Sequence, residues 1–376
     1  MVEAAFSLGS GERAKGRHMK AARALLFLGL ATAGCAIHQK QRVSACYPAA
    51  GRAPAAARAG QGGASASLSV LTFNVEGLPW PAKRHRPPRL REIGRELAEM
   101  RAKGIAPDVV FLQEAFSTEA ARIGARAGYR NYLKGPSSHT QRPPTSEDAD
   151  RGLVDKRKRT KGEWRPILSS GLYILSDLPL VAVDREPFRS RECAGFDCLS
   201  NKGVMHARLA VPGLPVEIDL FNTHLNSRGH AGVSQDRSLK AHSLQVDELH
   251  RYIEAKWDKA HPLIFGGDLN MRHAPARFAH FAAVMPYTLV HQYCARKDSG
   301  CDVRISWDGD APWMDTEDLQ AFESGGGVTV QPVRVEAMFD KPWKGDTLSD
   351  HDGFLVTYRL AWPAGASPAT TIPTCR

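Results

Sequence analysis

The sequence predicts an α/β protein in which two packed mixed sheets are flanked by helices, and three observations predict it. Short β-branched or apolar runs recur along the chain, amphipathic stretches interrupt them singly, and several runs follow one another with no helix between. The 376 residues are 43% hydrophobic and 24% charged, enough apolar material for a sizeable core. No interior linker divides residues 68–362, so they are read as a single domain.

Leu68 to Val75 is apolar enough for a buried first strand, and Arg89 to Lys103 carries Leu90, Ile93, Leu97 and Met100 at helical spacing. Pro107 introduces a second strand, Asp108 to Gln113, and Thr118 to Ala127 reads as a helix. Pro136 to Arg165 is charged and Pro-rich, the composition of a long surface loop. Further strands are expected at Gly171 to Leu175, Val204 to Val211, Val216 to His224, Leu263 to Gly267 and Phe354 to Leu360. Asp236 to Lys256 repeats Leu239, His242, Leu244, Val246, Leu249 and Ile253 at helical intervals, with Ser234 or Asp236 as its cap. Residues 363–376 form a C-terminal tail.

The N-terminus reads as an export signal over residues 1–35. Met19-Lys20 opens a basic region, Ala24 to Ala33 is a small apolar run too short to span a bilayer, and Ala33-Gly34-Cys35 is a small-residue cleavage context. The pattern resembles a bacterial lipoprotein signal with Cys35 as the lipidated residue, although Thr32 stands where that pattern usually has Leu; plain secretion is the alternative. Residues 1–18 lack signal character, which makes Met19 an alternative start. Residues 36–67, rich in Ala, Gly, Arg and Ser, read as a flexible linker. The formal charge is +10; the leader holds five basic residues against Glu3 and Glu12, so its removal leaves 10 − 3 = 7, a moderately basic body. With Cys35 set aside, six cysteines remain, an even number that suits disulfides in an oxidising compartment. Cys193 with Cys198 and Cys294 with Cys301 are near enough in sequence to staple loops, and Cys46 and Cys375 remain to tie the chain ends. Free or zinc-binding thiols are the alternative.

Polar residues close the apolar runs. Asn74 ends the first strand, Glu114 the second, His224 ends Leu220-Phe221-Asn222-Thr223-His224, and Asp268 and Asn270 follow Gly266-Gly267 at the end of Leu263 to Phe265. In α/β folds catalytic groups gather at such strand ends. Asp268 and Asn270, two apart, can both face one cleft while Leu269 turns inward. Carboxylate and amide oxygens are hard ligands that suit Mg²⁺ or Ca²⁺. Asp350 and His351, in Ser349-Asp350-His351-Asp352 before the last strand, add a second imidazole: one can deprotonate water while the other stabilises phosphate charge.

In this order the segments resemble the endonuclease/exonuclease/phosphatase superfamily, from Leu71 to Tyr358, and within it neutral sphingomyelinases. The subfamily pointers are Asn74-Val75-Glu76-Gly77-Leu78-Pro79, Ser170 to Ser176, Lys202-Gly203-Val204 and Thr223-His224-Leu225-Asn226. The resemblance implies a four-layer α/β/β/α sandwich. It makes Glu114 the principal Mg²⁺ ligand, with Asn74 and Asp350 beside it and Mn²⁺ or a second divalent ion as variants. Asp268 and Asn270 would position water and phosphate, His351 would be the general base, His224 would bind phosphate, and Lys202 and Asn226 would contact substrate. The family's Ile-Asp-Tyr-like strand has no close match here. Asp318, in Glu317-Asp318-Leu319, and Asp340 both stand open as the residue that orients the catalytic histidine.

The resemblance implies hydrolysis of a phospholipid phosphodiester, sphingomyelin to ceramide and phosphocholine, at a membrane. Trp307 and Trp313 with Ile305 are candidates for the lipid interface, or for packing on the sandwich. An extracytoplasmic nuclease, suggested by the basic stretch Arg151 to Arg165, and a non-catalytic lipoprotein binding module are the alternatives for function.

Overall fold

The computed structural model describes residues 47–48, 63–142, 162–189, 192–309, 312–368 and 374–375. The signal and Cys35, nearly all of the linker, the Cys46 thiol and most of the basic stretch Arg151 to Arg165 lie outside the described residues. Near the termini, Tyr47–Pro48 pairs in parallel with Thr374–Cys375, which brings the two ends of the chain together.

In chain order the elements are β1 (Ala64–Asn74), α1 (Arg86–Ala102), β2 (Val109–Gln113), α2 (Thr118–Ala121), α3 (Ile123–Arg126), β3 (Asn131–Lys134), β4 (Tyr173–Ser176), β5 (Leu180–Pro187), β6 (Gly203–Leu209) and β7 (Ile218–His224). They continue with α4 (Gln235–Lys256), β8 (Leu263–Asp268), α5 (Pro275–Val284), β9 (Thr288–Leu289), α6 (Val290–Cys294), β10 (Asp302–Arg304), β11 (Asp318–Glu323), β12 (Thr329–Met338) and β13 (Gly353–Trp362). One sheet has the order β10-β12-β13-β1-β2-β4-β3 and the other β9-β11-β8-β7-β6-β5. β1 begins at Ala64, four residues ahead of the Leu68 that apolar content marks, because Ala64 to Ser67 pair main chain to main chain with Arg359 to Trp362. The expected helix over 118–127 divides into α2 and α3 at Arg122, where the backbone steps out of register.

Alternation along the strands builds the layers. Val70, Phe111, Leu220 and Ile264 point between the sheets and form one core with Met205, Phe354 and Tyr358. Their neighbours Leu71, Phe73, Val110 and Leu112 face outward against Leu90, Ile93 and Leu97 of α1. On the second sheet Phe221, Leu263 and Phe265 face outward against Val246, Leu249 and Ile253 of α4 and Phe281 of α5. Each such side chain contributes roughly 1.5–3 kcal/mol by leaving water, and the result is the expected α/β/β/α sandwich. Ser234 caps α4, accepting from Arg237 N. Disulfides Cys193–Cys198 and Cys294–Cys301 staple two loops, as an oxidising compartment allows. No helix among the described residues is long and apolar enough to cross a membrane.

Two histidines are sealed into the interior. His291 is fully buried against Trp313 and Phe354 with neither ring nitrogen bonded, and His242 donates to Leu269 O. Burial holds both down to about 3 from an ordinary 6.5. Unfolded chains therefore take up protons that the native state refuses as pH falls from 6.5 towards 3, so stability is full above 6.5 and declines through that window. We expect the urea midpoint to fall steadily between pH 7 and pH 4.5, and to fall less steeply in His291→Leu. Equal slopes in the two proteins would show that His291 is not held neutral.

Candidate active site

The two sheets bring their polar strand ends to one place. β1 runs parallel to β2 and β7 parallel to β8, so Asn74, Glu114, His224 and Asp268 emerge at the same edge. Antiparallel β11 starts there too, with Asp318 directly opposite Asp268. The glycines before Asp268 make the approach possible: a Cβ on Gly267 would lie 2.2 Å from Thr223 O, and one on Gly266 would lie 2.7 Å from Thr72 Oγ1 of the facing sheet. Glu76, Glu114 and Asn270 take left-handed backbone angles just beyond their strands. Such conformations cost free energy in non-glycine residues and concentrate at functional sites.

At the centre, one ligand atom each from Asp268, Asp318 and His351 falls within 4.8 Å of the others. His351 Nδ1 donates to Asp318 Oδ1 at 3.2 Å, which leaves Nε2 free to accept and directs it towards Asp268 Oδ2, 3.9 Å away. The other oxygen of Asp318 accepts from Asn74 N at 2.9 Å. Asn74 Nδ2 donates to Asp268 Oδ2 at 2.9 Å, and Asn270 N donates to Asp268 Oδ1 at 3.0 Å. His224 Nε2 lies 3.2 Å from Asp268 Oδ2 and 3.1 Å from Lys202 Nζ. Burial works against ionisation of Asp268, yet His224, His351 and Lys202 together hold its carboxyl well below the usual range. Burial raises Asp318 despite its bond to His351. For His351, burial opposes the charged form, but Asp318, then Asp268 and Asp350, hold the imidazolium well above 6.5.

Of the residues expected at the site, Asn74, His224, Asp268, Asn270, Asp318, His351 and Lys202 form this connected set. Asp318, not the exposed Asp340, sits against the histidine. Asn226, expected to contact substrate, is fully buried and braces the loop, accepting from Ala194 N at 2.9 Å and donating to Ser227 O at 3.0 Å. Of the two tryptophans expected at a lipid interface, Trp313 is buried, edge-on to Phe278, and Trp307 is exposed. Asp197, Arg277, Arg86 and Lys83 are additions that the structure makes to the site's surroundings. Asp197 pairs with Lys202 from inside the Cys193–Cys198 loop, and the cysteine spacing was its only signal. Buried Arg277 donates to Asn226 O, Ser227 O and Asn270 O and so pins both site loops. Arg86 and Lys83 pair with Glu76, two residues after Asn74.

The expected metal ligands are set slightly apart. Glu114 and Asp350 both lie in the field of Arg86, and Lys83 Nζ is 3.5 Å from Asp350. Asp268 and Asp318 have their oxygens taken up by internal donors, whereas the half-buried Glu114 carboxylate has no hydrogen bond or ion pair with any described residue. Carboxylate and amide oxygens such as those of Glu114, Asp350 and Asn74 are hard donors of the kind that fit a divalent cation. The adjoining cleft, of about 390 Å³, is lined by the acidic Asp315, Glu317, Asp350 and Asp352 and by His351 and Arg272 among others, and Arg272 is already bonded to Asp315 and to Asp308.

A doubly layered α/β sandwich with His–Asp pairs and carboxylates converging at one edge is an arrangement able to move protons and to hold charge. The chain belongs to the endonuclease/exonuclease/phosphatase family, which it matches over residues 71–351 and whose members hydrolyse phosphodiester bonds. It is 25% identical over 316 residues to the sphingomyelinase of Mycobacterium tuberculosis, covering 78% of this chain and 53% of the relative; the chain thus spans about half the length of the curated relative. Among solved structures it resembles the beta toxin of Staphylococcus aureus with bound magnesium ions (17% identity, 79% of this chain and 99% of that one, TM-score 0.53). It also resembles D. rerio TDP2 complexed with a single-strand DNA product (17% identity, 78% and 98%, TM-score 0.51). At those identities the likeness is one of fold.

Proposed function

We propose that this protein is a Mg²⁺-dependent phosphodiesterase that hydrolyses sphingomyelin or a closely related choline phospholipid. The observation that carries the reading is the His351–Asp318 pair facing Asp268 and His224 at the edge where Glu114 stands unbonded. In the proposed reaction Asp318 fixes the His351 tautomer, and Nε2 removes a proton from water as it attacks phosphorus in line. The bond from phosphorus to the ceramide oxygen breaks, giving phosphocholine and, after protonation, ceramide. His224 and Lys202 bring positive charge to the phosphate, and Asn74 and Asn270 hold Asp268, the hub against which both histidines are set. Glu114, with Asn74 and Asp350, would hold the cation, which when bound neutralises phosphate charge. Similarity to curated sphingomyelinases supports the lipid substrate. So does the acidic cleft wall, which suits a head group with a cationic end better than a polyanion.

Export would suit the same reading: the two disulfides are compatible with an oxidising compartment, and lipid attached to Cys35 of the signal-like leader would tether the enzyme to a membrane. A nuclease is the second reading, favoured by the basic charge and by the fold shared with TDP2. The two are separated by offering one preparation sphingomyelin vesicles and linear DNA in Mg²⁺ at low salt. Phosphocholine release with intact DNA is expected; degraded DNA without phosphocholine would reverse the assignment.

A further inference from the structure

Four exposed aromatic side chains stand out among the described residues, Trp80, Trp164, Phe196 and Trp307; three lie on segments linked to cleft-lining residues, and Trp164 lies on the segment beside Phe196. Trp80 precedes Lys83, which reaches Asp350 of the cleft wall. Trp307 precedes Asp308, the partner of cleft-lining Arg272. Phe196 N donates to Ala231 O, the residue after cleft-lining His230. Trp164 and Ile167 lie on the segment packed beside Phe196, since Ile167 N donates to Leu199 O and Gly162 abuts the Phe196 backbone. Apolar side chains are normal on a surface when scattered; gathered at one mouth they mark an interaction site.

The Phe196 turn is held firmly in this outward pose. Gly195 has φ 63, and a Cβ there would lie 1.8 Å from Ala231 O. The Cys193–Cys198 disulfide closes the turn, and Glu163, gripped by two bonds from Arg237, accepts from Gly195 N at 3.0 Å. Consecutive residues then point to opposite sides: Asp197 is buried and pairs with Lys202 beside His224, while Phe196 is 50% exposed. Exposed Arg165 stands between Trp164 and Ile167, with no ion pair to a described residue. The sequence from Arg151 to Arg165 has seven basic residues against Asp155 and Glu163.

We propose that the Trp164–Ile167–Phe196 surface docks the enzyme on a phospholipid bilayer carrying anionic head groups, setting the cleft rim against the membrane. Aromatic side chains favour the bilayer interface, and cations beside them favour an anionic leaflet. The proposal rests on the lipid reading of the site but is tested apart from it. The full-length chain is sedimented with vesicles of phosphatidylcholine and phosphatidylserine that contain no sphingomyelin, and compared with Trp164→Ser and Phe196→Ser. Turnover of bis(p-nitrophenyl) phosphate, a soluble phosphodiester, serves as the folding and active-site control. Each substitution is expected to weaken vesicle binding about tenfold while soluble turnover stays within about twofold of wild type. Binding unchanged in both variants, or no binding by the wild type, would overturn the proposal. Vesicle binding that the substitutions abolish, in a protein that releases no phosphocholine, would keep the surface and remove the sphingomyelin assignment instead.

Discussion

His351→Ala is expected to lower kcat for phosphodiester hydrolysis on the order of 10³-fold, with KM and thermal stability little changed. The imidazole has Nδ1 committed to Asp318, which leaves Nε2 to take a proton. Asp318→Asn keeps the shape but weakens both the orientation and the charge that hold His351 protonated, so its loss should be smaller and its pH profile displaced. In the wild type His351 keeps its proton above 6.5, and a general base works only once deprotonated, so the rate should climb with pH beyond the ordinary histidine range. In Asp318→Asn that rising limb should move to lower pH, because the first partner that raises His351 is gone. A His351→Ala enzyme with a tenth or more of wild-type kcat, or an unmoved limb in Asp318→Asn, would take the base away from His351.

Glu114→Gln is expected to cost about 10²-fold in activity at fixed Mg²⁺ and to weaken Mg²⁺ binding measured by calorimetry on the full chain. The substitution keeps size and removes only the charge of a side chain that makes no hydrogen bond with any described residue, so folding should be untouched. Affinity for Mg²⁺ equal to that of the wild type would place the cation elsewhere, the compact Asp268–Asp318–His351 group being the remaining candidate.

What could be read from the sequence follows from where polarity interrupts apolar pattern. Asn74, Glu114, His224 and Asp268 each terminate a run of buried residues, so both strand and site residue announce themselves at once. β11 was harder: Asp318-Leu319-Gln320-Ala321-Phe322-Glu323 puts buried Gln320 at a core position, where it donates to Val70 O and Phe354 O across the two sheets. That contact is invisible to hydrophobic patterning, and it is why Asp318 and Asp340 could not be separated in advance. β12 contains Pro332, next to which its pairing with β13 shifts register, and a proline inside a run argues against a strand. Asp197 and Arg277 act through contacts some 5 to 50 residues distant along the chain, and only the fold brings those together. The contacts of Asn226 have the same origin: its place in Thr-His-Leu-Asn marks it, and only the fold shows its amide bonded to Ala194 N and Ser227 O.

The most direct test of the account is phosphocholine release from sphingomyelin vesicles by the full chain, measured in Mg²⁺, after a chelator, and after Mg²⁺ is restored. The account predicts release that stops with the chelator and returns with the metal. A folded protein that releases none, or one whose release persists in chelator, would contradict it.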